Sequence, residues 1–132
     1  LNTFFKNNYI SNINPNDVQS VLRVANSYLD INDNDNAIIY FNKAIEITPN
    51  DPAIFHDRGL AYYGNEEYEK AILDYSAAIS LNSNIAQFYN DRAVAYYFIG
   101  DYQKSKSDIN QAIKMGYRVN PGFIEALDAN IK

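Results

Sequence analysis

Small and aromatic residues return along this chain at a constant step of 34 positions: Ala37, Ala71 and Ser105; Tyr28, Tyr62 and Tyr96; Ala44, Ala78 and Ala112. A fixed period of that length marks stacked supersecondary units. On this step the units run 18–51, 52–85 and 86–119. Breakers fall inside them at Gly64-Asn65 and Gly100-Asp101, and between the first two at Thr48-Pro49-Asn50-Asp51-Pro52. Each unit therefore reads as two antiparallel helices of about 13 residues joined by a tight turn. Small residues recur where the two helices must approach closely, and Gly59 beside Ala71, or Ala93 beside Ser105, admits backbones that Leu would hold apart. Asp51 before Pro52 reads as an N-cap with proline in the first helical turn, and Asn120-Pro121 repeats the signal. The expected fold is all-α, a solenoid of helical hairpins with its core built from neighbour contacts rather than one central cluster.

The middle unit reads Phe55-x2-Arg58-Gly59-x2-Tyr62, then Ala71-x3-Tyr75, then Ala78. That spacing resembles the tetratricopeptide repeat (TPR), a helix–turn–helix unit with large, small and aromatic residues at fixed steps. The likeness covers residues 18–119. The first unit keeps Ala25, Tyr28, Ala37, Phe41, Ala44 and Pro49, with Val21 where the family often has Trp. The third keeps Tyr89, Ala93, Tyr96 and Ala112, with Ser105 for alanine and Ile109 for the aromatic, while Ser83 and Tyr117 replace the terminal proline. The resemblance implies a right-handed superhelix of three repeats with a flanking N-terminal helix and a C-terminal capping helix.

The ends read separately. Ile13-Asn14-Pro15-Asn16-Asp17 echoes Ile47-Thr48-Pro49-Asn50-Asp51 one step later. Residues 1–14 are thus either the second helix of an earlier unit or an N-terminal cap using Phe4, Phe5, Tyr9 and Ile10. Both readings pack the segment of residues 1–17 on the first unit. The chain opens at Leu1 without Met, which suggests a fragment or a processed product. In residues 120–132, Phe123, Ile124 and Leu127 share one helical face with Glu125, Asp128 and Lys132 elsewhere, the pattern of a polar-backed cap.

Composition narrows the chemistry. Without cysteine there are no disulfides, thiolate metal sites or Cys nucleophile. A net charge of −5 disfavours nucleic acid and anionic membrane, which need basic footprints, and suits a basic partner segment. No apolar run is long enough to cross a bilayer. The abundance of Asn and the twelve Tyr read as compositional bias. His56, the single histidine, reads as an ordinary surface or groove residue, because a metal site wants several ligands at set spacing. Asn32-Asp33-Asn34-Asp35-Asn36 offers oxygen ligands but lacks the central Gly and late Glu of a calcium loop, so it reads as an inter-helix turn with an N-cap. Glu66-Glu67 is expected to begin a helix, where acidic residues suit the macrodipole. Ser105 and Ser107 have no triad-like partner, and the five glycines form no phosphate loop. No catalytic residue, metal or cofactor is expected.

One contrast between units bears on packing. Units two and three carry Arg58 with Asp74 and Arg92 with Asp108, whereas unit one has Val24 with Tyr40 in the same two places. An ion pair across each of the last two units is expected, worth about 0.2–1 kcal/mol if exposed.

In TPR proteins the first helices line a concave groove, and the resemblance assigns the groove by register. Unit one supplies Gln19, Leu22, Arg23, Asn26, Leu29 and Asp30; unit two Ala53, His56, Asp57, Leu60 and Tyr63; unit three Gln87, Asn90, Asp91, Val94, Tyr97 and Phe98. The floor reads Asn26, Leu60 and Val94, with carboxylates at Asp57 and Asp91 one repeat apart. Both carboxylates lie outside the repeated core pattern, so their loss is expected to spare folding. The mixture suits a peptide or helix with apolar anchors and a Lys or Arg. A TPR subclass grips the C-terminal carboxylate of chaperones through Lys, Asn, Lys and Arg at slots held here by Leu22, Asp57, Gln87 and Asp91; only Asn26 agrees, so that ligand is not expected. The sequence thus points to a non-catalytic protein-interaction module. The alternatives are a structural or self-associating segment of a longer array, or the regulatory domain of a larger enzyme.

Overall fold

The computed structural model describes residues 14–131, and the expected N-terminal helix of residues 1–14 lies outside them but for Asn14. Seven helices follow in order: α1 (Val18–Asp30), α2 (Asn34–Ile47), α3 (Pro52–Gly64), α4 (Tyr68–Leu81), α5 (Ala86–Phe98), α6 (Tyr102–Lys114) and α7 (Pro121–Asn130). No strand occurs among the described residues. Each helix packs on the next, which makes the architecture an all-α helical-hairpin repeat solenoid.

Local chemistry accounts for the helix ends. Asp51 accepts the Ala53 N–H at 3.0 Å, Asn120 accepts that of Gly122 at 2.8 Å, and Asp33, inside the polar run, accepts that of Asn36 at 3.4 Å. Helices α1, α3 and α5 close alike. The N–H groups of Asn32 and Asp33 donate to the carbonyls of Leu29 and Tyr28, those of Glu66 and Glu67 to Tyr63 and Tyr62, and those of Gly100 and Asp101 to Tyr97 and Tyr96. Such closure places one residue in the left-handed region. Asn32 and Glu66 have φ of 60° and Gly100 of 81°, one repeat apart. This corrects the expectation for Glu66-Glu67: Glu66 sits in the turn, Glu67 is the N-cap, and α4 begins at Tyr68.

Among the described residues the core divides into three clusters, as neighbour packing requires. The first joins α1 and α2 to Ile54 and Ala61 of α3; the second sets Ala71, Ile72 and Tyr75 against Ala95; the third sets Ala93, Ile109 and Ala112 against Val119 and Leu127. The repeated small residues Ala37, Ala71, Ser105, Ala44, Ala78 and Ala112 are all 0% exposed. The Ser105 hydroxyl donates to the Ala93 carbonyl at 2.7 Å, so serine serves where alanine stands in the other units. Gly59 makes its close approach to the Tyr75 ring, whose Cε1 would lie 2.6 Å from an added Cβ.

The last repeat ends differently. The chain leaves α2 through Thr48 at φ −129° and α4 through extended Asn82, both with negative φ, but α6 closes through Gly116 at φ 89°. Residues 117–120 then turn back toward α5, and α7 lays Leu127 into the third cluster while Glu125 and Asp128 stay exposed.

Candidate functional site

Helices α3 and α5 carry the same slots one repeat apart, and with Tyr75 of α4 they line an open cavity of about 150 Å³ bordered by Leu60, Tyr63, Asp91 and Val94. A second cavity of about 310 Å³ opens beside it, where Asn90 and Val94 face Tyr117, Arg118, Val119, Pro121 and Phe123. Val94 borders both, so the two cavities adjoin.

Beneath them lies His56. The ring is 6% exposed and packs between Phe88 and Tyr75, with centroids 4.9 and 5.6 Å away. Its Nε2 stands 2.6 Å from Asp91 Oδ2 and its Nδ1 3.5 Å from Asp57 Oδ1. Burial by itself pushes the imidazole toward neutrality. The two carboxylates, Asp57 at Nδ1 and Asp91 at Nε2, outweigh it and raise the pKa from 6.5 to about 9. The imidazolium therefore ties α3 to α5. Two expectations are corrected here. His56 is a buried ionic tie rather than a groove surface residue, and Asp91 takes part in the packing through it rather than standing outside it.

The expected ion pairs are present and bidentate. Arg58 donates through Nε and Nη2 to Asp74 at 2.8 and 2.7 Å, and Arg92 donates likewise to Asp108 at 2.8 and 2.8 Å. Both aspartates are 5% exposed, so the pairs are more deeply placed than surface bridges. A further bond runs from each guanidinium to the preceding unit's second helix, at Asn42 for Arg58 and Ser76 for Arg92. Each arginine also lies near two rings, Phe55 and Tyr62 for Arg58, Tyr89 and Tyr96 for Arg92. In unit one, Tyr40 stacks on Tyr28 at 5.8 Å instead.

An aromatic rim closes one side. Phe98 stacks on Tyr68 at 5.0 Å and meets Tyr63 at 6.0 Å, while Tyr97 contacts Tyr102 and Phe123, each at 5.5 Å.

Family comparison agrees with the packing. Residues 25–66 match a family model described as TPR repeat, and residues 52–85 and 86–115 each match one described as Tetratricopeptide repeat. The chain belongs to the tetratricopeptide repeat family. No curated protein matches it at a significant level. Among solved structures, the first TPR of Spaghetti (RPAP3), bound to the HSP90 peptide SRMEEVD, is 19% identical with a TM-score of 0.78, covering 89% of this chain and 93% of that one. A crystal structure of MamA is 25% identical with a TM-score of 0.76 over 92% of this chain and 68% of that one. The TPR2B domain of yeast Sti1, in a pHsp70 complex, is 21% identical with a TM-score of 0.73, covering 86% and 91%.

Of the TPR groove residues expected from register, the structure gathers Leu60, Tyr63, Asn90, Asp91 and Val94 around the paired cavities, with Phe98 half exposed at the rim. Tyr97 is turned into contacts with α6 and α7. Unit one is separate from these cavities: Leu22 and Leu29 pack on the first core cluster, Asn26 is half-buried, and Gln19 and Arg23 are exposed, as is Gln87 of unit three. Sequence reasoning missed two contributors. Tyr75 read as repeat core, although tyrosine where the other TPR units have Phe41 and Ile109 was a signal. Residues 117–119 read as the end of unit three and 120–123 as the start of a plain cap, although Gly116 marked a turn unlike the earlier repeat junctions.

Proposed function

We propose that this chain is a non-catalytic protein-interaction module holding a peptide or helix of a partner protein along its first helices. The two adjoining cavities astride Val94 carry this reading, because they offer apolar walls with a few polar groups on a preformed scaffold. The peptide-bound RPAP3 and Sti1 domains, which share the fold, lend it support. The same reading divides the chain into repeats 18–51, 52–85 and 86–119 with a cap at 120–132. The partner segment is basic and apolar rather than a chaperone C-terminal carboxylate, since Asp57 and Asp91 stand where that ligand needs donors.

Selection from a random peptide display library tests it. Enriched peptides should carry Lys or Arg beside Leu-like residues and bind more weakly to Leu60→Ala. Enrichment of acidic C-termini, or indifference to Leu60→Ala, would overturn it.

A second reading rests on Ile39 and Leu73, which hold one slot on α2 and α4 and are 49% and 70% exposed. That outer face would join copies of the chain. Solution mass rising with concentration, and no longer doing so in Leu73→Ser, supports it; a constant monomer mass overturns it.

A further inference from the structure

We infer that the cavity between α3 and α5 is a pocket for a single lysine side chain of the partner, with Leu60, Tyr63 and Val94 along the aliphatic stem and Asp91 with the Tyr75 hydroxyl at the ammonium. The inference rests on the groove reading above and names what that groove selects.

Tyr75 is the observation that starts the argument. It is 1% exposed, and among the described residues its hydroxyl has no hydrogen-bond partner. No polar side-chain atom there is both fully enclosed and unpaired. The small part of Tyr75 that stays accessible therefore includes the hydroxyl, and Tyr75 lines this cavity. A nearly buried hydroxyl without a protein partner is costly unless a ligand or water meets it. The repeat also makes room for it: Ala25 and Ala93 face the slots of Phe41 and Ile109, whereas unit two sets Gly59, the smallest residue, against Tyr75, the longest. Burial, reinforced by the Asp91 charge, pushes the phenol upward, so the hydroxyl keeps its proton. A hydroxyl can still accept a hydrogen bond through its lone pairs while donating to water.

Charge then selects the class of ligand. Asp57 and Asp91 face one imidazolium, which leaves one negative charge beside the cavity. Oxygen availability separates lysine from arginine. Asp91 Oδ2 is committed to His56 at 2.6 Å, while among the described residues Oδ1 receives only a 3.3 Å bond from the neighbouring Asn90 side chain. A guanidinium fork is matched best by both carboxylate oxygens, as Arg58 and Arg92 use them on Asp74 and Asp108. An ammonium is a compact point charge with three rotatable donors, and it is served by one carboxylate oxygen plus one hydroxyl.

The test is an NMR titration of the ¹⁵N-labelled chain with three blocked pentapeptides, Ala-Leu-Lys-Leu-Ala and its norleucine and arginine counterparts at the central position. The lysine peptide should shift the amides of Leu60, Asp91 and Val94 saturably, with the norleucine peptide roughly tenfold weaker and Tyr75→Phe weakening the lysine peptide by about fivefold. That variant keeps the ring against Gly59, so its melting temperature should match the parent. Equal binding of norleucine or arginine, or an unchanged affinity in Tyr75→Phe, overturns the lysine pocket. Lysine-peptide shifts gathered at Asn26 and Gln87 instead would overturn the pocket and leave the groove standing. Shifts gathered at Ile39 and Leu73 would overturn both. Absence of saturable shifts from all three peptides overturns the pocket, while the groove still answers to the library selection.

Discussion

His56 Nε2 and Asp91 Oδ2 meet at 2.6 Å across two first helices, one repeat apart in the chain. The contact makes repeat-to-repeat packing depend on a proton. Folding raises the imidazole pKa from 6.5 to about 9, so the protonated form is the one the native state favours. The stabilisation is fully present below the unfolded value of about 6.5 and is lost as pH rises through about 9, and its size is on the order of 2–3 kcal/mol. Chemical denaturation from pH 6 to pH 10 should show the parent losing stability relative to His56→Gln. Parallel curves for the two proteins would contradict this.

Asp91→Asn removes the short partner of the same imidazolium. It should cost about 1–3 kcal/mol at pH 7, against less for Asp57→Asn, whose oxygen is 3.5 Å from the ring. Urea midpoints measure the difference, and equal midpoints for the two variants would refute it.

Unit one dispenses with the arginine pair by stacking Tyr40 on Tyr28, which makes its solution transplantable. Arg58→Val alone leaves the Asp74 carboxylate nearly buried without its partner and should cost about 3 kcal/mol. Adding Asp74→Tyr should recover a large part of that loss. A double-mutant cycle by urea denaturation reads the coupling, and additive losses would show that the two slots do not act together.

The left-handed turns predict opposite outcomes for the same kind of exchange. Glu66→Gly should stabilise by about 0.5–1 kcal/mol, because Glu66 holds φ 60° where the third unit has glycine. Gly100→Ala should destabilise by a comparable amount, although an added Cβ there meets nothing within 4 Å. Thermal melts of the two variants should move in opposite directions.

Tyr97 and Leu60 separate packing from recognition. Tyr97→Ala, which removes contacts to Tyr102 and Phe123, should lower stability by about 2 kcal/mol. Leu60→Ala should cost less stability and weaken binding of a selected peptide with little dependence on salt. Calorimetry of both variants, with and without 0.5 M salt, decides the assignment.

Repeats, helix breaks, caps and arginine pairs were legible in the chain because every unit must solve the same local packing problem, and a shared solution repeats in sequence. Ala37, Ala71 and Ser105 could be aligned by eye for that reason, and the joint arrival of Arg58 with Asp74 announced a contact before any geometry. His56, by contrast, occupies a slot held by Leu22 and Asn90 in the other units, so no period describes it. Its burial depends on which residues Phe88 and Asp91 bring from the next repeat. Tyr75 is similar: its slot was readable as core, but only the third dimension shows a ring that packs against Gly59 and also lines the cavity. The return of residues 117–120 over Val94 depends on Gly116 replacing an extended junction. Periodic positions are determined by interactions within a repeat and its copy, which the sequence records three times. The candidate site draws on residues such as His56, which breaks the period and meets Asp91 from 35 positions away, and only folding sets that distance.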